Sequence, residues 1–179
     1  MSGEVIAAAA AALLLFWSVG AYNRLVRLRS QALQAFGALT VQLRRRQALG
    51  EVVPMTSGDS LQADGAAVPA PSALNAAAQQ FGASVSNAQA HPLDARALRS
   101  LGAANAVLLM AWDRHFGDAS DIDSTASLIA QWNAVAAQLT HANDEFDQAA
   151  SRYNAAVRQF PAQIVAAVFG LRLAGYFEM

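Results

Sequence analysis

The stretch Leu128–Phe160, LIAQWNAVAAQLTHANDEFDQAASRYNAAVRQF, decides the fold. Within it Leu128, Trp132, Val135, Leu139, Ala142, Phe146, Ala149, Tyr153, Ala156 and Phe160 follow one another in steps of four and three without a break. That spacing keeps one apolar stripe on one face of an α-helix, the heptad seam along which helices pack lengthwise. At ~1.5 Å per residue the seam is about 50 Å long. Asp123 or Ser124 can cap its start, and Pro161 ends or kinks it. A single-seamed helix of this length needs other long helices to cover it. The fold class is therefore all-α, an elongated antiparallel bundle.

Working toward the N-terminus, the next helix is expected to open at Pro92. Its stripe is Leu98, Leu101, Leu108, Trp112 and Phe116. Its run AVLLMAW, Ala106–Trp112, is apolar all round and is expected to lie centrally buried. Gly117 and the acidic turn Asp118–Asp123 stop it. A weaker helix, Ser72–Ala90, has few apolar anchors: Leu74, Phe81 and Val85. Before it, Gly50–Ser72 holds Pro54, Pro69, Pro71, Gly58 and Gly65 among short polar side chains, the composition of a flexible linker. Beyond Pro161 come a short apolar helix, AQIVAAVFG, and a tail ending in Tyr176, Phe177 and Glu178. No stretch alternates with period two, so no strand is expected.

Nothing interrupts the helical pattern from Glu4 to about Leu49. Its first part, VIAAAAAALLLFWSVGAY (Val5–Tyr22), carries no charge and is bracketed by Glu4 and Arg24. Its length approaches the ~30 Å hydrocarbon core of a bilayer, with Trp17 and Tyr22 near one end, as aromatic belts require. The rival is a cleaved signal peptide with a site near Ser18–Gly20, but the leading residues lack the Lys or Arg of such signals. Residues 1–22 thus read as a single-pass transmembrane anchor. Residues 23–49 continue it as the first bundle helix, 50–72 are linker, and 73–179 are the remaining helices and tail. From Tyr22 onward, Tyr22, Leu25, Val26, Leu33, Phe36, Leu39 and Leu43 share one side, and Arg24, Arg27, Gln31, Gln34, Gln42 and Arg45 the other. Arg29 falls within the apolar side, where it can snorkel toward headgroups or pair with an acid.

The chain has 55% hydrophobic and 14% charged residues, which excludes a disordered protein. It has no Cys, so disulfides, thiolate metal sites and a Cys nucleophile are excluded. Residues 21–50 carry six Arg and no acid, whereas residues 51–150 carry eleven acids and three Arg. Arg24, Arg27 and Arg29 follow the span, so the positive-inside rule puts the C-terminal body in the cytoplasm; a bacterial inner membrane is the expected compartment.

Two segments carry a family resemblance. Ala21–Leu49, AYNRLVRLRSQALQAFGALTVQLRRRQAL, resembles the opening of LemA proteins. The resemblance rests on Tyr22 and Asn23 after the membrane helix, on Leu25, Val26, Leu28 and Arg29, and on Val41, Gln42 and Leu43 before Arg44, Arg45 and Arg46. Arg152–Gly170, RYNAAVRQFPAQIVAAVFG, is similar to the family's closing segment through Tyr153, Asn154, Phe160 and Pro161, with Tyr176, Phe177 and Glu178 at the end. Thr40 stands where the family has Asp, Gly50–Pro54 where it has Ile-Pro-Asn-Leu-Val, and Phe146–Asp147 where it has an earlier Tyr-Asn. The middle, residues 55–120, shows almost no match. The resemblance implies a membrane-anchored bundle of antiparallel helices without established enzymatic activity.

No catalytic constellation emerges. His91, His115 and His141 have no partner at metal-ligand spacing, and Asp118, Asp121 and Asp123 lack the order of a Ca²⁺ loop. Nucleophile-elbow, phosphate-loop and dinucleotide motifs are absent. No cofactor is implied. Arg44–Arg46 read as a solvated face near a helix end, with contact to an acidic partner or to the chain's own acidic middle as the functional alternative. Nucleic acid is not an expected partner, because the pI is ≈ 6.3 and no aromatic residues interleave the basic run. Asn23 and Asn154 are expected to bridge neighbouring helices, and the motif tyrosines to be core. The expected role is a membrane-tethered, non-catalytic scaffold whose partners are the bilayer and an unidentified protein. The alternatives are a small-molecule or lipid sensor with a cavity between Ala-rich helices, and an enzyme with a site inside the bundle.

Overall fold

The computed structural model describes residues 2–52, 73–117 and 122–179. Five helices make up the described residues, with no strand among them: α1 Ser2–Val52, α2 Ala73–Ala90, α3 Ala95–Gly117, α4 Ile122–Arg158 and α5 Ala162–Val168.

α1 is one unbroken helix of 51 residues, about 75 Å at 1.5 Å per residue. Its first third stands free: Val5, Ile6, Leu13, Leu14 and Phe16 are all exposed. From Leu25 onward it is the spine of the body. Leu25, Ala32, Phe36, Leu39 and Leu43 are buried, with Tyr22 and Leu33 half-buried beside them. Arg24, Arg27, Gln31, Gln34 and Arg45 face outward as expected. Val26 does not join the stripe; it is exposed, and Ala32 fills the buried position instead.

α4 lies antiparallel along α1. Arg24 bonds Gln159, Phe36 meets Phe146 edge-on at 5.5 Å, and Arg45 bonds Gln138. As the number on α1 rises, the number on α4 falls almost one for one. The seam of α4 is buried at Trp132, Leu139, Ala142, Phe146, Ala149, Tyr153 and Ala156, with Leu128 and Val135 half-buried. Phe160 departs from it. The helix ends at Arg158, so the rotation that carried the seam stops two residues earlier and Phe160 is 77% exposed.

α2 runs back along α1, with Arg44 reaching Ser86 and Gln89, and α3 turns away again beside α2. Three expectations are corrected here. Gly50 does not stop α1, which continues to Val52. It is buried where a Cβ would come within 3.0 Å of Ala78 and 3.3 Å of Leu108, so glycine serves close packing of three helices there. The remainder of the expected linker, 53–72, lies outside the described residues, as do Asp118–Asp121 and the side chains of Asp123 and Ser124. Pro92 does not open α3. It sits in the turn, and Asp94 caps the helix by accepting hydrogen bonds from the backbone N–H of Arg96 (2.8 Å) and Ala97 (3.0 Å). Those bonds, Ala97 first, hold the Asp94 carboxyl below the usual carboxylate range. Finally, Ala106–Trp112 is buried on one face alone. Leu108 and Trp112 point in, while Val107 and Met110 are exposed, because α3 lies at the margin of the bundle.

α3 and α4 meet through the stacked rings of Trp112 and Trp132, 3.8 Å apart and nearly parallel. Nearer the anchor, the gap between them is filled by the extended C-terminal tail. Ala174 and Phe177 are buried in it. Gly175 donates to the Leu93 carbonyl at 3.0 Å. A Cβ at Gly102 would come within 2.7 Å of the Glu178 carbonyl oxygen, which is why that face of α3 carries no side chain.

Candidate functional site: the tail clamp, a buried cation and the anchor-side face

Tyr153 and Asn154 form the clamp that holds the tail. The Tyr153 hydroxyl donates to the Arg172 carbonyl at 2.9 Å. Asn154 acts as a peptide surrogate: its Nδ2 donates to the Ala174 carbonyl (2.9 Å) and its Oδ1 accepts from the Ala174 N–H (2.7 Å). The same Nδ2 lies 3.2 Å from the Tyr176 hydroxyl. A primary amide has the donor and acceptor to satisfy both polar groups of one backbone residue, and Asn154 is buried, so both bonds are shielded from water. Burial pushes the Tyr153 phenol above its usual range, with the charge of Arg29 working against the rise; the hydroxyl remains a donor at neutral pH. Beside the tail, burial pushes the Asp147 carboxyl up, with the backbone N–H of Phe177 working against the rise.

The other motif residues are not gathered into this cluster. Tyr22 is half-buried and packs its ring 4.6 Å from Phe169, tying the anchor end of α1 to the end of α5. Asn23 is exposed, and Asn154 bonds the extended tail instead of a neighbouring helix, so neither makes the expected helix-to-helix bridge. Arg29 is exposed rather than enclosed by apolar side chains, at the rim of a crevice it shares with His91, Asp94, Phe169 and Arg172. Gln42 is half-buried and accepts from Arg45 at 3.4 Å. Pro161 is half-buried at the start of α5.

Arg44–Arg46 is not a uniformly solvated face. Arg45 is exposed, and Arg44 is fixed by Gln47, Ser86 and Gln89. Arg46 is buried in the bundle. Its Nη1 donates to Asn105 Oδ1 at 2.9 Å, and its guanidinium lies 4.9 Å over the Trp132 ring. Its Nε and the Asn105 Nδ2 have no partner. Burial lowers the Arg46 pKa to about 10, so it stays charged at neutral pH. The signal for it was its position: Arg46 is three residues after Leu43 and four before Gly50, on the buried stripe of α1. Asn105 likewise lies between Leu101 and Leu108 at steps of four and three.

Among the described residues no three His, Asp or Glu side chains converge as a metal site would require. His91 is exposed with Nδ1 3.3 Å from the Asn87 carbonyl, His141 is exposed 3.8 Å from Glu145, and His115 meets Phe116 edge-on.

Among the described residues, two apolar surfaces stand out. One is a groove of about 720 Å³ along the open side of α1, lined by Leu33, Gly37, Val41 and Ala48 with Arg44 and Arg45 at its edge. The other is the free third of α1 together with the outward side of α5.

No curated protein and no solved structure matches the chain. The sequence model of the LemA family matches residues 78–179, more than half of the chain. The matched region contains the Tyr153–Asn154 clamp, Phe160–Pro161 and the clamped tail, and it leaves out the Ala21–Leu49 segment, which carries the other half of the resemblance. With that match and its all-helical architecture, the chain belongs to the LemA family.

Proposed function

We propose that this protein is a membrane-anchored, non-catalytic scaffold: a rigid helical body that presents a surface to a protein partner close to the bilayer. The observation that carries the reading is the division of α1. A strongly apolar stretch lies near the N-terminus with none of it buried, and the same helix continues without a break into a spine with a buried stripe. An apolar helix bare on all sides is stable in lipid and costly in water. Arg24, Arg27 and Arg29 follow the span and favour a cytoplasmic body. The groove along Leu33, Gly37 and Val41, edged by Arg44 and Arg45, supports an interaction role, since its apolar floor and cationic edge suit an amphipathic acidic helix.

Deleting residues 1–20 is expected to move the protein from the membrane pellet to the supernatant after an alkaline carbonate wash. A truncated body that still pellets after that wash would remove the anchor from the reading. For orientation, an alkaline phosphatase fused after Met179 is expected to be inactive and a fluorescent protein bright; the reverse pattern would put the body on the other side.

A further inference from the structure

We propose that Phe160–Phe169, α5 with its two flanks, is a second membrane-contacting element that lies in the bilayer interface beside the anchor. The proposal rests on the anchor reading above and adds to it a specific surface of the folded body. α5 buries Val165 and Ala166, yet it turns Phe160 (77%), Ile164 (57%), Val168 (75%) and Phe169 (59%) outward. Ile164 and Val168, four residues apart, share one face of α5, and Phe160 and Phe169 flank that face in the turns at either end.

This face borders the free part of α1. Phe160, Pro161, Ile164 and Val165 share a groove of about 1110 Å³ with Leu14 and Trp17 of the anchor, and Phe169 packs on Tyr22. The level along α1 at which α5 sits is therefore the last turns of the uncharged span. Bare apolar surface on the two elements is continuous, and an exposed apolar patch of this extent marks an interaction site.

Charge singles out lipid as the occupant. No residue from Gln159 to Leu171 is charged, while Arg158 and Arg172 bracket the segment. Arg24 shares the level of Gln159, to which it hydrogen-bonds, and Arg29 and Arg172 flank one crevice just above, with Asp94 the acid among them. An apolar element next to a transmembrane helix, with guanidinium groups above it, matches the profile of a bilayer from acyl chains to anionic headgroups. Trp17 and Tyr22 occupy the same boundary, where amphipathic rings concentrate.

The chain has no cysteine, so single-cysteine variants can be labelled with an environment-sensitive fluorophore in the full-length protein. The test reconstitutes Ile164→Cys, Val168→Cys, Leu14→Cys and Gln131→Cys into vesicles of phosphatidylcholine and phosphatidylglycerol, with and without nitroxide-labelled lipid. Probes at 164 and 168 are expected to lose about half or more of their emission to a shallow nitroxide, as for an apolar face ~5–10 Å into the headgroup boundary. The probe at 14 is expected to be quenched best by a deeper nitroxide, and the probe at 131, far along the body, by neither. Unquenched probes at 164 and 168 beside a quenched probe at 14 overturn the proposal while leaving the anchor standing. Probes at 164 and 168 that are blue-shifted but unquenched, and that turn red as protein is diluted in lipid, mean a second copy covers this face; this also overturns it. An unquenched probe at 14 removes the anchor reading and the proposal together.

Discussion

Arg46→Met tests how the bundle tolerates a cation in its interior. Burial lowers the Arg46 pKa to about 10, so enclosing the charge costs on the order of 3 kcal/mol. Against this stand the hydrogen bond to Asn105, worth about 1.5–3 kcal/mol for a charged donor, and the contact with the Trp132 ring, about 1–2 kcal/mol. These nearly cancel, so the net effect of the substitution is set by what it leaves behind. Asn105 is fully buried, and its Nδ2 is already unbonded. Losing Arg46 strands Oδ1 as well, at about 1–3 kcal/mol. Arg46→Met is therefore expected to destabilise by about 1–3 kcal/mol, and Asn105→Leu, which strands the cation, by ~3 kcal/mol or more. Arg46→Met/Asn105→Leu removes both buried polar groups and is expected to be at least as stable as the unmodified protein. Urea unfolding of the detergent-solubilised chain, followed by tryptophan fluorescence, suits the measurement, because the Trp112–Trp132 stack adjoins the site. Losses that simply add in the double variant would refute the reasoning, since the pair would then be a net source of stability. A silent Arg46→Met would mean that the guanidinium is not enclosed.

Three further outcomes follow from the packing. Leu139→Ala, at a position with no exposure, is expected to cost ~2–5 kcal/mol in thermal unfolding, and Gln138→Ala, whose exposed amide meets Arg45, under about 0.5 kcal/mol; equal losses would mean α4 is rotated. Asn154→Asp keeps the acceptor for the Ala174 N–H but loses the donor to its carbonyl, so amide exchange at Ala174 and Phe177 should quicken while exchange in the middle of α1 holds; unchanged tail exchange would refute the clamp. Asp147→Asn should raise stability at neutral pH and not at low pH. The folded carboxyl titrates above its unfolded value, so stability falls as pH rises through the interval between the two; a gain confined to acid would reverse the sign and the argument.

Where the chain was legible, it was through angular position on helices. The α4 seam and the α1 spine could be read because apolar residues recur at steps of four and three. The same arithmetic failed at Phe160, because it was continued past the end of the helix at Arg158. It also falls short at Arg46, read as part of a solvated face, and at Asn105: both are polar residues at stripe positions, and both are buried. Burial is decided by direction from the helix axis, and a polar residue in a buried direction must find partners there. The apolar run Ala106–Trp112 erred the other way, since composition on all sides does not supply neighbours on all sides. The tail was the least legible part. An extended segment held through a side-chain amide and close glycine contacts has no period, and only the family resemblance, through Tyr153–Asn154 and Tyr176–Glu178, marks the residues involved.

The unbroken course of α1 makes the protein a lever. No hinge separates the proposed anchor from the body, so the inclination of one is the inclination of the other. From Tyr22 to Val52 the arm is about 45 Å long at 1.5 Å per residue. A tilt of about 20°, usual for membrane helices, carries its far end sideways by about 15 Å. A span tilts more where the bilayer is thinner than its apolar stretch. The body's outer end, with the Arg46 and Trp132 layer near it, would then sweep across the surface as membrane thickness changes, turning a local property of the lipid into a displacement a partner could feel.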